Sequence, residues 1–468
     1  MKTKTRMALP VILVLILAAC LSWGGWLAYD SLVDRSGWVE KDDGSRFYRD
    51  FHAKPVSGWL ELPEGQYFLD ETGVPKTSWQ KIGIHTYYFD SDGRMAVGWK
   101  KIDGADRYFD EGGCLVTGWL TQGDETWYLQ SDGTPAVGWL ELEGERYYLP
   151  EGKLATGWQT IDESRRYFDG DGVMAVGFRQ LDEGWFYFDS DGAVTTGETT
   201  IENERYLFGE NGVMCTGWVE GETGRRYYSA EGPMARGWCE IDGDRYYFSD
   251  DGKLYTGWLE EGEYRYYLTA DGPAAVGPVS VDGRIHCFSP KGIEVILVNG
   301  RNPVPAGYSP DLVNITSDRL VDQRCYSALR KMLDDCNAAG IQYDLNSAYR
   351  TQEEQELILE SRTQSYMELY ELSYEEAQEK ALETVAVPGT SEHQLGLAVD
   401  LLGKEAIPWF QEHCWDYGFI RRYYGEKADY TGIADEPWHF RYVGTLVSLD
   451  MKDSGLCLEE YLGAKPVK

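Results

Sequence analysis

Apolar positions along this chain change their spacing twice. From Met7 to about Ala28 they run almost without interruption, behind Lys2, Lys4 and Arg6. Such a run is long enough for one membrane-crossing helix with its basic end inside, and targeting segments of this kind are set aside from fold reasoning. Leu17-Ala18-Ala19-Cys20 also reads as a lipobox, after which Cys20 is lipidated and becomes the new N-terminus. The uncleaved anchor is preferred, because Leu21 to Leu27 stays apolar where a lipoprotein turns polar. Either outcome puts residues 1–29 at the membrane and the remainder outside the cytoplasm.

Between residues 36 and 290 short alternating stretches take over. Gly-Trp or Ser-Trp marks recur at Trp38, Trp59, Trp79, Trp99, Trp119, Trp139 and Trp158, and again at Trp218, Trp238 and Trp258, with Phe178, Glu198 and Pro278 in the same phase. The step is 19 to 21 residues. Midway between marks lies an aromatic stretch, such as Tyr87-Tyr88-Phe89 or Tyr246-Tyr247-Phe248. Asp92-Gly93, Asp132-Gly133, Asp191-Gly192 and Asp251-Gly252 follow such stretches and read as short hairpin turns. Each unit is therefore strand, turn, strand, with too little apolar surface to fold alone, and stacking about a dozen of them buries a continuous core. The aromatics either only build that core or form cages shared by neighbouring units, which take a cation or stack on sugar rings.

From Gly292 the period disappears and helical spacing appears. Val295 to Val298 reads as a strand, and Ser317 to Ala339 as a helix with Leu320, Val321, Cys325, Leu329, Met332, Leu333 and Cys336 on one side and Gly340 as its stop. Strands are expected over 341–348 and 398–402, and helices over 352–367 and 407–417, the last stopped by Gly418. Ser373 with Glu376 forms a capping box for a further helix to about Thr384. The expected architecture is multidomain: a β-hairpin solenoid of about 20-residue repeats over 36–290, then an α+β domain over 293–462.

At 468 residues the chain is too long for one core. Its net charge of −34, acidic in both halves, excludes non-specific nucleic-acid binding, which needs Lys and Arg against phosphate. The same charge repels anionic wall polymers, so attraction to a wall must come from specific sites, and a cationic ligand group suits the surface. Nine cysteines in an exported protein invite a disulfide reading. Their spacing opposes it: Cys325 and Cys336 are roughly 16 Å apart on one predicted helix, too far to bridge, and Cys114, Cys215 and Cys239 fall at different phases of the repeat. They read as small buried hydrophobes.

Only six histidines are present, and two sit in stretches rich in candidate chemistry, Ser391 to Asp400 and Glu436 to Tyr442. A catalytic Zn²⁺ takes three ligands from His, Asp, Glu or Cys and leaves a position for water; a carboxylate outside that set takes the proton of the water. His393, Asp400 and His439 can be the ligands and Glu436 the base. Glu436 and His439, three apart, point opposite ways from a regular strand, but Pro437 between them cannot donate to a ladder and marks a bulge site that turns both into one cleft. His413, beside Cys414 and Trp415, reads as structural, and His52, His85 and His286 belong to the repeats.

Leu297-Val298-Asn299, Ser347-Ala348-Tyr349-Arg350, the Ser391 to Asp400 stretch and Glu436-Pro437-Trp438-His439 occur in the order found in VanY-type D-alanyl-D-alanine carboxypeptidases, and residues 293–462 resemble that family. The resemblance implies a zinc metallopeptidase fold related to lysostaphin and hedgehog, with zinc on His393, Asp400 and His439, Glu436 as base and Arg350 on the terminal carboxylate of the substrate. Gln355 and Ser391 are further candidates for substrate contacts. The implied reaction is removal of the terminal D-alanine from peptidoglycan stem peptides; L,D-carboxypeptidase cleavage of tetrapeptide stems and a wall-binding adhesin without catalysis are the alternatives. Residues 36–290 resemble choline-binding and glucan-binding cell-wall repeats, which implies wall polysaccharide or teichoic acid as partner. That family places a Trp at the start of the aromatic strand, where this chain has Thr86, Arg107, Arg146 and Arg245, with Trp127 as an exception, so a full choline cage is not expected in most units. Since every candidate site residue lies beyond residue 340, residues 290–468 are expected to fold and act without the repeats.

Overall fold

The structure, a computed structural model, describes residues 34–222 and 224–468. The apolar run from Met7 and Cys20 lie outside the described residues, and among the described residues no helix is long and apolar enough to cross a membrane. Two compact units are present: residues up to 197 with 208–214, and residues 198–207 with 215–468.

The first unit is a series of antiparallel hairpins, such as Gly98–Ile102 with Ala105–Phe109 and Gly157–Ile161 with Ser164–Phe168. Trp99 pairs with Tyr108 and Trp158 with Tyr167, while alternation along the aromatic strand buries Phe109, Phe168 and Phe188 completely. Backbone hydrogen bonds join one hairpin to the next, as from Met95 N to the Gln66 carbonyl and from Met174 N to the Arg146 carbonyl, 2.8 Å each. These bonds tie each such hairpin to a neighbour, in keeping with the small apolar surface it carries.

The Asp-Gly pairs that follow the aromatic stretches do not form the hairpin loops expected of them. Gly93 donates its N–H to the Asp90 carbonyl at 2.9 Å, within the connection to the following hairpin, and Gly133 and Gly192 repeat the arrangement. At Gly93 φ is +79° and a Cβ would lie 2.6 Å from Pro75 Cβ, so only glycine lets this connection rest on the preceding hairpin. The hairpin loops themselves are two-residue turns ahead of the aromatic strand, such as Asp103-Gly104 (φ 52° and 84°) and Asp162-Glu163 (φ 51° and 64°). Positive φ at both residues is the type I′ geometry that matches strand twist.

Register also divides positions that looked equivalent in the sequence. Thr86, Arg146 and Arg245 lie opposite Lys81, Glu141 and Glu240. Arg107 and Trp127 lie one residue further on, opposite Lys100 and Leu120, in the place Tyr147 takes opposite Leu140. The aromatic at the Arg146 position is Trp185, opposite Gln180. The arginines at that position are engaged: the guanidinium of Arg146 lies 4.7 Å from the Trp139 ring centre and that of Arg165 4.2 Å from Trp158. In the second unit Arg225, Arg245 and Arg265 lie 4.0, 4.3 and 3.7 Å from Trp218, Trp238 and Trp258. Arg165 Nη1 further donates to the Asn211 carbonyl at 3.1 Å, and Arg245 Nη1 to the Lys291 carbonyl.

The second unit carries its hairpins into the α+β domain. Glu294–Val295 adds a third strand to the hairpin Gly277–Val281 with Arg284–Phe288. Beyond it lies a four-stranded antiparallel sheet in the order β1 (Asp344–Ser347), β2 (Ala398–Leu402), β4 (Glu436–Tyr442), β3 (Phe419–Tyr423). Helix α1 (Gln323–Ala338) covers the sheet, burying Leu329, Met332 and Leu333 with Val399, Leu401 and Phe440. It starts later than the apolar spacing predicts, because Leu320–Asp322 pairs with Leu312–Asn314 as a strand and Asp322 accepts the N-capping bond from Arg324 N at 3.0 Å. Helices α2 (Gln352–Tyr370) and α3 (Tyr374–Ala381) each open with a capping box, Thr351 with Glu354 and Ser373 with Glu376. Helix α4 (Ala406–His413) tightens into one 3₁₀ turn that ends at Gly418, φ 81°. Cys325 and Cys336, buried on α1, carry free thiols, as do Cys114, Cys239, Cys287, Cys414 and Cys457.

Residues from 290 onward close one core beneath α1 and share a second with the last hairpins. Tyr266, Leu268 and Cys287 of the last hairpins are buried with Ile420, Val443, Val447, Met451, Leu458 and Leu462. Polar contacts frame this core: Tyr442 Oη donates to Glu263 Oε2 at 2.6 Å, Leu446 N to Tyr264 Oη at 3.2 Å, and Lys291 pairs with Asp450 at 2.7 Å. The expected independence of residues 290–468 meets this shared face, which the last hairpins keep from water.

Candidate metal centre and substrate cleft

Asp400 in β2 and His439 in β4 stand directly opposite one another in the ladder, so both side chains leave the sheet on one face. His393 comes from the short 3₁₀ turn Glu392–Leu395 that leads into β2, ended by Gly396 at φ 71°. Its Nδ1 donates to the Ala348 carbonyl at 2.7 Å, which leaves Nε2 facing Asp400 Oδ2 at 3.3 Å. His439 Nδ1 lies 3.0 Å from Asp400 Oδ1, and the two imidazoles meet edge to face with centres 4.8 Å apart. One donor atom from each of the three residues falls within 4.8 Å of the others, and all three residues are buried.

The kink expected at Pro437 is present. Strand β3 pairs with β4 through Arg421–Phe440 and Tyr423–Glu436, so two steps along β3 are matched by four along β4. The excess residues bracket Pro437 and turn Glu436 toward the histidines, with Oε2 at 4.0 Å from His439 Nδ1. Arg350 follows β1 and spends three of its five N–H groups inside the protein: Nε on Ser347 Oγ (2.7 Å), Nη1 on Gln355 Oε1 (3.3 Å) and Nη2 on Asp400 Oδ2 (2.7 Å). Gln355 is buried and donates to the Ala386 carbonyl at 2.9 Å. Ser391, also buried, heads the 3₁₀ turn. These side chains line one cleft of about 290 Å³ with Arg362 and Trp438.

Burial works against the charge of Asp400, yet the two histidines hold its carboxyl well below the usual range. Burial pushes Glu436 up to about 7, helped by the Asp400 charge and opposed by His439, Arg350 and Arg362. Burial lowers His393, whereas the hydrogen bond to Asp400 and the nearby Glu392 carboxylate overcome it at His439 and raise that imidazole to about 9.

Glu392 escaped the reading of the sequence. It is fully buried, its Oε1 accepts from Arg422 Nε and Arg441 Nη1 at 2.9 Å each, and its Oε2 lies 3.6 Å from His439 Nε2. Neither of these last two atoms has a hydrogen-bond partner within 3.5 Å among the described residues. Glu392 thus faces the far side of the His439 ring and turns Nδ1 toward Asp400. The available signal was Arg422 inside the apolar strand Phe419–Tyr423, since a guanidinium buried there requires a carboxylate. Of the remaining histidines, His413 bonds the Trp409 carbonyl at 2.8 Å, His286 bonds Glu294 at 2.6 Å, and His52 and His85 are exposed on the repeats. Two imidazoles and a carboxylate, each imidazole with its second nitrogen turned to an oxygen, form a donor set suited to a divalent metal.

Comparison with known proteins places this cluster in context. A family model described as D-alanyl-D-alanine carboxypeptidase, VanY, matches residues 318–445, and a choline-binding repeat model matches 76–114, 155–196 and 235–277. Over 180 residues the chain is 42% identical to a D-alanyl-D-alanine carboxypeptidase of Enterococcus faecalis, covering 36% of this chain and 66% of that protein, just under two thirds of its length. It is 37% identical over 141 residues to the bifunctional D-Ala-D-Ala dipeptidase and D-Ala-D-Ala carboxypeptidase VanXYC of Enterococcus gallinarum, covering 26% of this chain and 69% of the relative. Among solved structures, a mutant of the vancomycin-resistance D,D-pentapeptidase VanY from a VanB-type cassette, in complex with Zn(II), is 41% identical, covering 36% of this chain and 97% of that one, with a TM-score of 0.35. Through residues 318–445, which contain the His393, Asp400 and His439 cluster, the chain belongs to the VanY family of D-alanyl-D-alanine carboxypeptidases.

Proposed function

We propose that this chain is a zinc-dependent carboxypeptidase that removes the terminal D-alanine from peptidoglycan stem peptides outside the cytoplasm, kept near its substrate by wall-binding repeats. The observation that carries the reading is the bulge at Pro437, which brings a non-ligand carboxylate to 4.0 Å from His439 beside the three buried donors. His393 Nε2, the Asp400 carboxylate and His439 Nδ1 would hold the zinc. Once bound, zinc supplies a Lewis acid for the scissile carbonyl and makes water acidic enough to ionise near neutral pH. Glu436, raised to about 7 by burial, accepts the proton of the attacking water and returns it to the departing D-alanine amine. Arg350 keeps two N–H groups uncommitted, and these hold the terminal carboxylate that makes the enzyme an exopeptidase. Gln355 and Ser391 line the same cleft.

The repeat matches support attachment to the wall. Arginines already lie over several tryptophans, which favours wall polysaccharide or teichoic acid over choline as the partner of those hairpins. A membrane tether through the N-terminal run or a lipidated Cys20 rests on the sequence alone. Metal analysis with D-alanine release from a synthetic pentapeptide tests the whole reading. Wild type should hold about one zinc per chain. Glu436→Gln should keep it while losing about 10²–10⁴-fold in rate, and His439→Ala should lose both. An emptied site in Glu436→Gln would overturn its assignment as base. Cleavage of the tetrapeptide in place of the pentapeptide would make this an L,D-carboxypeptidase, and an inert, zinc-free wild type would leave a wall-binding protein.

A further inference from the structure

Arg350 is not the only guanidinium in the cleft. Gln355, Ile358 and Arg362 of α2 all line it, and their spacing of three and then four residues puts them on one face of that helix. Gln355 contacts Arg350, and Arg362 lies about 10 Å further along the axis at the helical rise. The other arginines around the sheet each have a carboxylate beside them: Arg350 has Asp400, Arg421 has Asp435, Arg422 has Glu392 and Glu459, and Arg441 has Glu392. Arg362 is exposed, meets the ring of Tyr366 one turn on at 5.9 Å, and has no carboxylate within 4.0 Å among the described residues. In a chain of net charge −34, a cleft-lining guanidinium without an acidic partner stands ready for one from outside.

We propose that Arg362 is a specificity-determining residue that pairs with a carboxylate of the stem peptide upstream of the scissile bond. The proposal rests on the carboxypeptidase reading, which fixes the terminal carboxylate at Arg350 and Gln355. An extended peptide advances about 3.3 Å per residue, so the distance from Gln355 to Arg362 spans about three residues. That reach ends at the third residue of a pentapeptide stem or at the glutamate before it. Two carboxylates can stand there: the free α-carboxylate of a γ-linked D-glutamate, which amidation removes, and the second carboxylate of a diamino-dicarboxylic third residue. Both present the same planar anion to the guanidinium fork.

The test uses the zinc-loaded full-length protein and four synthetic pentapeptides, with the glutamyl carboxylate free or amidated and the third residue with or without its second carboxylate. Wild type should show a KM about five- to tenfold lower for peptides bearing the recognised carboxylate, with kcat unchanged, as befits a partly exposed charge pair. The peptide pair that shows the difference identifies which carboxylate is read. Arg362→Gln should erase the difference in KM between the peptides, and Arg362→Glu should reverse it. Equal KM for all four peptides in wild type, or a preference that survives in Arg362→Gln, would overturn the subsite while leaving the carboxypeptidase intact. Failure of wild type to cleave any of the four would instead sink the carboxypeptidase reading, and the subsite with it.

Discussion

Glu436 is placed so that its own charge is expensive. Its pKa of about 7 stands above the ordinary 4.5 because burial disfavours the carboxylate. Below pH 4.5 the group is neutral in folded and unfolded chains and contributes nothing. Between 4.5 and about 7 the unfolded chain gives up a proton that the folded chain keeps, so stability falls as pH rises. The loss levels off above that range, at up to about 3 kcal/mol by linkage. In metal-stripped protein, Glu436→Gln should therefore melt with wild type at pH 4 and above it at pH 8; a gap of equal size at both pH values would contradict the burial argument. The residues of the centre were legible in the sequence because His393, Asp400, Glu436 and His439 are types rarely placed in apolar stretches without a task. Glu392 was not, since its neighbours in sequence say nothing of Arg422 and Arg441, which reach it only after β3 and β4 have paired. Arg362 was equally hidden, because its position in the cleft depends on where α2 lies against the sheet.

At the scale of elements, the period of the hairpins and the identity of most helices followed from apolar spacing and capping residues, while phase did not. Asp-Gly suits a hairpin loop and a connection between hairpins alike, and the choice was made by Pro75 packing where a side chain at Gly93 would stand. Helix α1 starts at Gln323, after the cap at Asp322, whose bond to Arg324 N competes with apolar periodicity that continues upstream. The arginines over the tryptophans are the element-level feature with a measurable consequence. Each occupies the face where an external cation would sit, whereas Trp59, Trp99 and Trp119 carry no such guanidinium among the described residues. Replacing Arg225, Arg245 and Arg265 together by alanine should remove about 0.5–1 kcal/mol per pair and add a tryptophan fluorescence response to choline beyond that of wild type. An unchanged response would mean that those ring faces were open from the start.

At the scale of the whole molecule, the sequence suggested a boundary at the end of the repeats, because the twenty-residue period stops there. Packing ignores that boundary: the fragment 290–468 lacks Tyr266, Leu268 and Cys287, and leaves Ile420, Val447 and Leu458 facing water. At about 1.5–3 kcal/mol for each large side chain uncovered, the loss is comparable with the ~5–15 kcal/mol that holds a typical domain together. A fragment of residues 236–468, which keeps the last three hairpins, should unfold cooperatively and cleave a soluble pentapeptide near the full-length rate. The fragment 290–468 should melt earlier or aggregate, as thermal scanning and size-exclusion chromatography would reveal. Equal melting of the two fragments would restore the simpler picture of a detachable tether.

Strand β4 runs from Glu436 and His439 at one end to Tyr442 at the other, and Tyr442 is bonded to Glu263 in the hairpin Gly257–Glu261 with Tyr264–Leu268. A cell wall under turgor is a stretched fabric. Tension drawn through the last hairpins of a wall-bound chain would arrive, through Tyr442, at the strand that holds Glu436 and one of the three buried donors.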